Sequence, residues 1–410
     1  MQISFNKFIK PLLFIAVLIE FFLTVYIIKI PLEYKKISSV IYFISGISIG
    51  ILFLLSLKIK EQPKVIKFRY AIHFYYAILL LIFGYFLYQI NFFFYSYPLN
   101  YKWADMLPIM KIMAERFIHN ENPYNPIYEI WDGMKPIYLP TMWILYSIPI
   151  TLKIDIRWIN IIVMLFGIFV FLYKRERKIQ VLDFLILALV AYFLIESLHH
   201  KNQDWYILTE EPLIVGYYLL LAYVLFRNKP ILIGIAISLC LLSRYILLFW
   251  FIGYLFYVYS DKLFLKKLLL TTIILCISLF IITQAYTQID VFLNTPKGYL
   301  NFMNSGLGTG VYDTTIKKSL GIAKFFEIKQ LGFLHYLSMF FSIIVPIFLF
   351  YIYRSVRFSK EVRNNYAIGI LKISLVIFFN MLIIPMTYLF ITSTLFSIAL
   401  LSIVINKKTT

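Results

Sequence analysis

The sequence predicts an all-α polytopic membrane protein with about twelve transmembrane helices, and three observations predict it. Mean hydropathy is +0.82. Hydrophobic residues fill 61% of the 410 positions and charged residues only 14%, a more apolar balance than ordinary soluble domains have. Apolar runs near twenty residues long recur along the chain, the length that crosses ~30 Å of hydrocarbon as a helix.

In chain order the apolar runs lie at 11–29, 38–57, 70–94, 158–173, 181–197, 205–226, 230–243, 245–259, 263–285, 333–353, 366–384 and 386–405. The first has Lys7 and Lys10 ahead of it, as a signal peptide would, but Glu20 interrupts it and no small-residue cleavage site follows. It reads as a retained helix. No polar tract is long enough for a separate soluble domain, and no internal repeat or low-complexity linker is visible. Residues 1–410 therefore read as one membrane-embedded domain.

Lys and Arg number 39 against 20 acids, a net charge of +19. Topology accounts for most of it. With a cytoplasmic N-terminus, the basic clusters at 58–69, 174–178, 227–229, 262–267, 354–363 and 407–408 all fall on the cytoplasmic side. Nucleic-acid binding is correspondingly disfavoured. Residues 95–139, 198–204 and 286–332 then face the extracytoplasmic side. Two features resist this scheme. Lys29, Lys35 and Lys36 lie outside in it, and the apolar stretch 137–152 must be a short or broken segment entering from the outer side. The alternative makes that stretch a true span and moves "KRERK" at 174–178 to the outside, against the charge bias.

Several chemistries lack their motifs. There is no G-x-x-x-x-G-K-[ST], no GxGxxG and no D-x-D triplet, which disfavours a nucleotide-driven or nucleotide-sugar mechanism. Cys240 and Cys276 lie in apolar runs far from any His and Cys cluster, so no zinc motif forms and no cofactor is expected.

The conspicuous polar chemistry sits in "WADMLPIMKIMAERFIHNENPYNPIYEIWDGMKPIYLPTMW", residues 103–143. From Asp105 to His119, Met106, Ile109, Met110, Met113 and Phe117 recur at helical spacing, with Lys111, Glu115 and Arg116 elsewhere on the wheel. That pattern predicts an amphipathic helix lying in the membrane interface. Asp105 stands at its start, where a carboxylate can cap free backbone N–H groups. Helix cap and catalytic carboxylate both remain open for it on residue type alone. A Pro- and Asn-rich turn, "NENPYNP", and then "KPIYLPTMW" follow.

The order Asp105, amphipathic helix with Arg116, "NPY" with Tyr124, then "YLP..W.L..IP" beginning at Tyr138, directly after a membrane span, resembles the first extracytoplasmic loop of the GT-C integral-membrane glycosyltransferases. It is most similar to glycosyltransferase family 87, the polyprenyl-phosphate-mannose-dependent mannosyltransferases. The local match covers about 50 residues. The resemblance implies a hexosyltransferase, for mannose, in the cell (inner) membrane. Its active site would face the extracytoplasmic side, its donor would be a polyprenyl-phosphate-linked sugar and its acceptor a glycan, lipid or protein. Asp105 would be the catalytic residue, and Arg116, Tyr124 and Tyr138 would line the substrate site.

Chemistry points the same way. A sugar on a lipid phosphate already has a good leaving group, so the site needs a base for the acceptor hydroxyl and a cation for the departing phosphate. Partial desolvation of Asp105 at the interface would suit a base. Arg244 in "LCLLSRYILLFW" is the matching cation, since an arginine between apolar runs is costly unless it faces a polar cavity or a partner. The flanking runs are short, so a break near Ser243 would bring the guanidinium to the outer face. The alternative is a structural ion pair with Glu196. Glu20 has no evident partner, and Lys372 is expected to snorkel to the cytoplasmic side.

The stretch "ESLHHKNQDWYILTEEP" at 196–212 adds His199, Asp204, Glu210 and Glu211. The resemblance assigns a donor-side acid to this second loop, with Asp204 and Glu210 both open; a solvated loop with a helix-start Glu pair is the alternative. His199 and Asp204 also match an H-x4-D acyltransferase spacing, weakly. In the long loop 295–330, Lys317 and Lys318 suit either a donor phosphate or lipid headgroups, and Lys318 is taken as the phosphate candidate. A lipid-linked saccharide transporter or flippase is the rival class, with a polysaccharide polymerase a closer one. A transporter should line charges through the midplane, whereas here they gather at the external rim.

Overall fold

A computed structural model describes residues 2–57, 70–131, 133–173, 179–199, 204–354 and 360–406. Of the expected basic clusters, 58–69, 174–178, 407–408 and part of 354–363 lie outside the described residues, as do His200 and Lys201.

Among the described residues fourteen helices have twelve residues or more and there is no strand, though an isolated bridge joins Ile127 and Met134. They are α1 (Gln2–Val25), α2 (Lys35–Ser56), α3 (Ala71–Ser96), α4 (Met106–Ile118), α5 (Arg157–Leu172), α6 (Val181–Glu196) and α7 (Glu211–Phe226). The second half of the chain gives α8 (Pro230–Leu241), α9 (Ile246–Val258), α10 (Lys262–Ile282), α11 (Ile289–Asn304), α12 (Leu331–Arg354), α13 (Lys360–Asn380) and α14 (Phe390–Asn406).

Six stretches are long and apolar enough to cross a bilayer: Phe8–Val25, Leu32–Ser56, Ala71–Ser96, Lys262–Ile282, Ile328–Arg354 and Thr387–Ile405. Helices α5, α7, α8 and α9 are equally apolar but have only 12 to 16 residues. At 1.5 Å per residue the shortest of them spans about 18 Å, less than the hydrocarbon core. Their ends explain it. Pro212 and Pro230 sit in the first turns of α7 and α8, where proline is tolerated and more helix ahead of it is disfavoured. Stretch 137–152 is broken, into short helical pieces Pro140–Trp143, Ile144–Tyr146 and Ser147–Thr151.

Polar contacts sort the helix ends into two groups. At one end, Asn364 Nδ2 donates to Asn228 Oδ1 (2.7 Å), Arg363 pairs with Asp261 (3.5 Å), and Gln180 Nε2 donates to the Ile405 carbonyl (3.1 Å). At the other, Lys29 pairs with Glu196 at 2.7 Å. There too Arg157 binds Asp155 at 2.6 Å and donates to the carbonyls of Tyr97 and Phe94, tying the end of α3 to the start of α5. The basic runs 227–229 and 262–267 thus share an end with the start of α13.

The centre of the bundle is α7, α13 and α14. Of the Thr387–Ile405 stretch 83% is buried inside the protein, against 11% of Lys262–Ile282. Peripheral helices present exposed Leu80, Leu81, Ile273 and Phe340, the surface a hydrocarbon solvent covers. Close approach at the centre needs glycine: a Cβ on Gly216 of α7 would lie 2.6 Å from the Val163 carbonyl oxygen of α5.

The polarity of the interior corrects two expectations. Lys372 does not snorkel, and Glu20 does have a partner: the two form a fully buried ion pair at 2.7 Å. Ser393 and Ser397 of α14 donate to the Glu20 carboxylate at 3.0 and 2.8 Å. Charge is therefore not confined to the rim.

Candidate functional site

The break between α8 and α9 positions Arg244. A helix end leaves carbonyls unsatisfied, and here the segment after the Pro- and Asn-rich turn supplies the donors. Thr141 donates its N–H to the Leu242 carbonyl (3.1 Å) and its hydroxyl to the Leu239 carbonyl (2.7 Å). Tyr217 of α7 in turn donates to the Thr141 carbonyl at 2.9 Å. The "YLPTMW" stretch is thereby seated on the break that carries Arg244.

Across from the guanidinium stand the two acids at the start of α7. Arg244 Nη2 lies 2.6 Å from Glu211 Oε2 and 3.5 Å from Glu210 Oε1. Thr392, at the start of α14, donates to the other oxygen of Glu211. All the hydrogen bonds of Arg244 use Nη2; Nε and Nη1 have no partner among the described residues. The buried Oε2 of Glu210 likewise has no hydrogen-bond partner among them. Buried polar atoms are normally satisfied, and the unsatisfied oxygen of Glu210 stands beside the guanidinium nitrogens that Glu211 does not use. At the start of α7, Glu210 lies within electrostatic reach of both Arg244 and Asp105.

That coupling brings Asp105 into the same cluster. Asp105 is the N-cap residue of α4, yet its carboxylate makes no capping hydrogen bond to the helix. Its charge instead acts on Glu210, Tyr138 and Tyr299. The amphipathic helix itself buries Leu107, Ile109, Met110, Met113 and Ala114, against the short helical pieces of 140–151. Tyr138, Tyr245, Tyr299 and Tyr388 surround the charged groups, each within electrostatic reach of Glu210 or Arg244. Tyrosine rings offer an apolar face and a polar tip, which suits a sugar. Tyr299 comes from α11, in the long 286–332 loop, so a third segment of chain reaches this cluster.

Of the residues singled out from sequence, Asp105, Tyr138, Glu210 and Arg244 come together. Arg116 and Tyr124 are used by the loop itself. Arg116 donates to the carbonyls of Asn125 (2.6 Å) and Pro126 (3.1 Å), holding the "NPYNP" turn. Tyr124 is fully buried, donates to the Tyr138 carbonyl (3.0 Å) and accepts from Trp143 Nε1 (3.2 Å). Asp204 is exposed at the start of a five-residue helix, Asp204–Leu208. Lys318 is exposed and acts electrostatically on Lys35 rather than on the Arg244 cluster.

Two expectations are corrected here. Arg244 pairs with Glu211 and Glu210 rather than with Glu196, because Glu196 ends α6 beside Lys29. The Glu pair at 210–211 is buried in this ion pair rather than solvated, at 4% and 0% side-chain exposure. Thr392, Tyr299 and Tyr388 belong to no motif that singles them out. The one signal for Thr392 is the hydroxyl run "TST" inside an apolar helix. Among the described residues no group of three His, Cys, Asp or Glu side chains is arranged to hold a metal ion.

No family model, no curated protein and no solved structure matches this chain.

Proposed function

We propose that this chain is a membrane glycosyltransferase that moves a hexose, mannose by the resemblance of its first loop, from a polyprenyl-phosphate donor to a glycan, lipid or protein acceptor. In this reading the chain crosses the cell membrane about twelve times, and the Asp105 to Arg244 cluster opens on the extracytoplasmic side. The single observation that carries it is the pairing of opposite tasks in one tyrosine-lined cluster. Asp105 is a carboxylate not spent on capping its helix, and Arg244 keeps Nε and Nη1 open while Glu211 holds Nη2.

The roles follow from charge. The acceptor hydroxyl attacks the anomeric carbon, and Asp105 takes its proton as the new C–O bond forms. The bond from that carbon to the phosphate oxygen breaks, and its electron pair leaves with the lipid phosphate. Arg244 meets the charge that develops there with the Nε and Nη1 N–H groups that Glu211 leaves unused. Glu211 and Thr392 keep the guanidinium aimed, and Glu210 stands 3.5 Å from it at the same rim. A transporter is less well supported, because the Glu20 and Lys372 pair is saturated by hydroxyls and fully buried, and opens no polar path.

The test is donor binding by the purified full chain in nanodiscs. The account expects saturable binding of mannosyl phosphopolyprenol that polyprenyl phosphate competes and free mannose does not. Binding that ignores polyprenyl phosphate would overturn it.

A further inference from the structure

A second group of cations stands apart from the Arg244 cluster. Lys35 opens α2 and is 2% exposed; Lys324, in the long loop before α12, is 6% exposed. The Lys324 ammonium donates to the Lys35 carbonyl at 3.2 Å and to the Ser319 carbonyl, and the Lys35 ammonium donates to the Ile27 carbonyl. Exposed Lys318 lies within electrostatic reach of Lys35. Lys36 Nζ sits 5.8 Å above the Phe325 ring.

Among the described residues none of the lysines 35, 318 and 324 has a carboxylate at ion-pair distance. Nor does the first turn of α2 carry an acid, although a helix N-terminus favours negative charge and disfavours lysine. Burial, and then the charge of Lys35, pull the Lys324 ammonium down to about 7. Amines drawn together with only carbonyls as partners are an arrangement that an anion relieves.

The surroundings say which anion. Ile28, Leu32, Tyr34, Ile37 and Phe325 are exposed around these lysines, and beneath them Ile27, Tyr42, Leu320 and Phe390 form a small apolar cluster of their own. A phosphate carrying acyl chains matches both features: charge for the ammonium groups and hydrocarbon for the exposed side chains. We propose that Lys35, Lys318 and Lys324 form a binding site for the phosphate headgroup of an anionic membrane lipid, distinct from the Arg244 site. Its lipid is a bound neighbour of the protein rather than a reactant, and it would hold the 318–325 segment against the start of α2.

Native mass spectrometry of the full chain in detergent, titrated with phosphatidylglycerol, tests this. Lys318→Ala, at an exposed position, should weaken binding about fivefold, and Lys318→Ala with Lys324→Met about 25-fold. Lys266→Ala with Lys267→Ala, two exposed lysines on α10, should leave binding unchanged. Should Lys324→Met fail to fold, the Lys318→Ala comparison still decides. Equal binding by wild type and Lys318→Ala would overturn the site. Displacement of the lipid by inorganic phosphate at equal concentration would also overturn it, by making the occupant a free anion.

Discussion

Arg244 and Glu211 meet at 2.6 Å between the broken α8–α9 connection and the first residue of α7, leaving Nε and Nη1 of the guanidinium without a partner among the described residues. A lysine in its place keeps the charge and loses the planar fork. Arg244→Lys should therefore lower donor affinity about tenfold while shifting Tm by only a few degrees, read by donor titration and thermal unfolding in detergent. Unchanged affinity would remove Arg244 from the donor site.

Removing the charge altogether has a different signature. Arg244→Leu strands Glu211 in a buried position, a loss of about 3–5 kcal/mol. Adding Glu211→Gln should recover most of that stability but not donor binding. Adding Glu196→Gln instead should recover nothing, since Glu196 pairs with Lys29. Rescue by the Glu196 change would contradict the observed pairing.

The Glu20 and Lys372 pair joins α1 to α13 across the hydroxyls of α14. Glu20→Met and Lys372→Met should each destabilise by about 3–5 kcal/mol, and the double change should be far milder than their sum. Thermal unfolding of the three variants measures it. Additive losses would mean that the two groups act independently.

Packing makes a sharper contrast between two glycines. A Cβ on Gly216 meets the Val163 backbone at 2.6 Å, whereas one on Gly84 meets nothing within 4 Å. Gly216→Leu should cost about 1–3 kcal/mol or more by overpacking, and Gly84→Leu should be close to neutral. Equal effects in a thermal unfolding assay would argue against the tight α5–α7 contact.

Much of this was legible in the sequence, because hydropathy and helical spacing report which segments are apolar. They located α4, the broken stretch 137–152 and the isolated Arg244, and the resemblance of the first loop added Asp105, Tyr138 and Glu210 as candidates. They could not say which acid meets which base. Glu196, Glu210 and Glu211 all stand near helix ends, and only the packing of α7 against α8 and α14 selects Glu211. Glu20 and Lys372 are 352 positions apart, beyond any local pattern. The resemblance named Arg116 and Tyr124 as substrate-lining residues, and their polar atoms fasten the loop. The short runs on either side of Arg244 pointed to a break near Ser243, and α8 stops at Leu241.

The central claim is that Asp105 is the base of a transfer reaction. The Asp105 carboxylate makes no capping hydrogen bond to α4, so Asp105→Asn removes the charge while keeping the shape of the side chain. The decisive measurement is transfer of radiolabelled mannose from mannosyl phosphopolyprenol by the full chain in nanodiscs with membrane-extracted acceptor, wild type against Asp105→Asn, alongside donor binding. The account predicts a loss of about 100- to 10,000-fold in rate with donor affinity retained. Turnover by Asp105→Asn at the wild-type rate would contradict it.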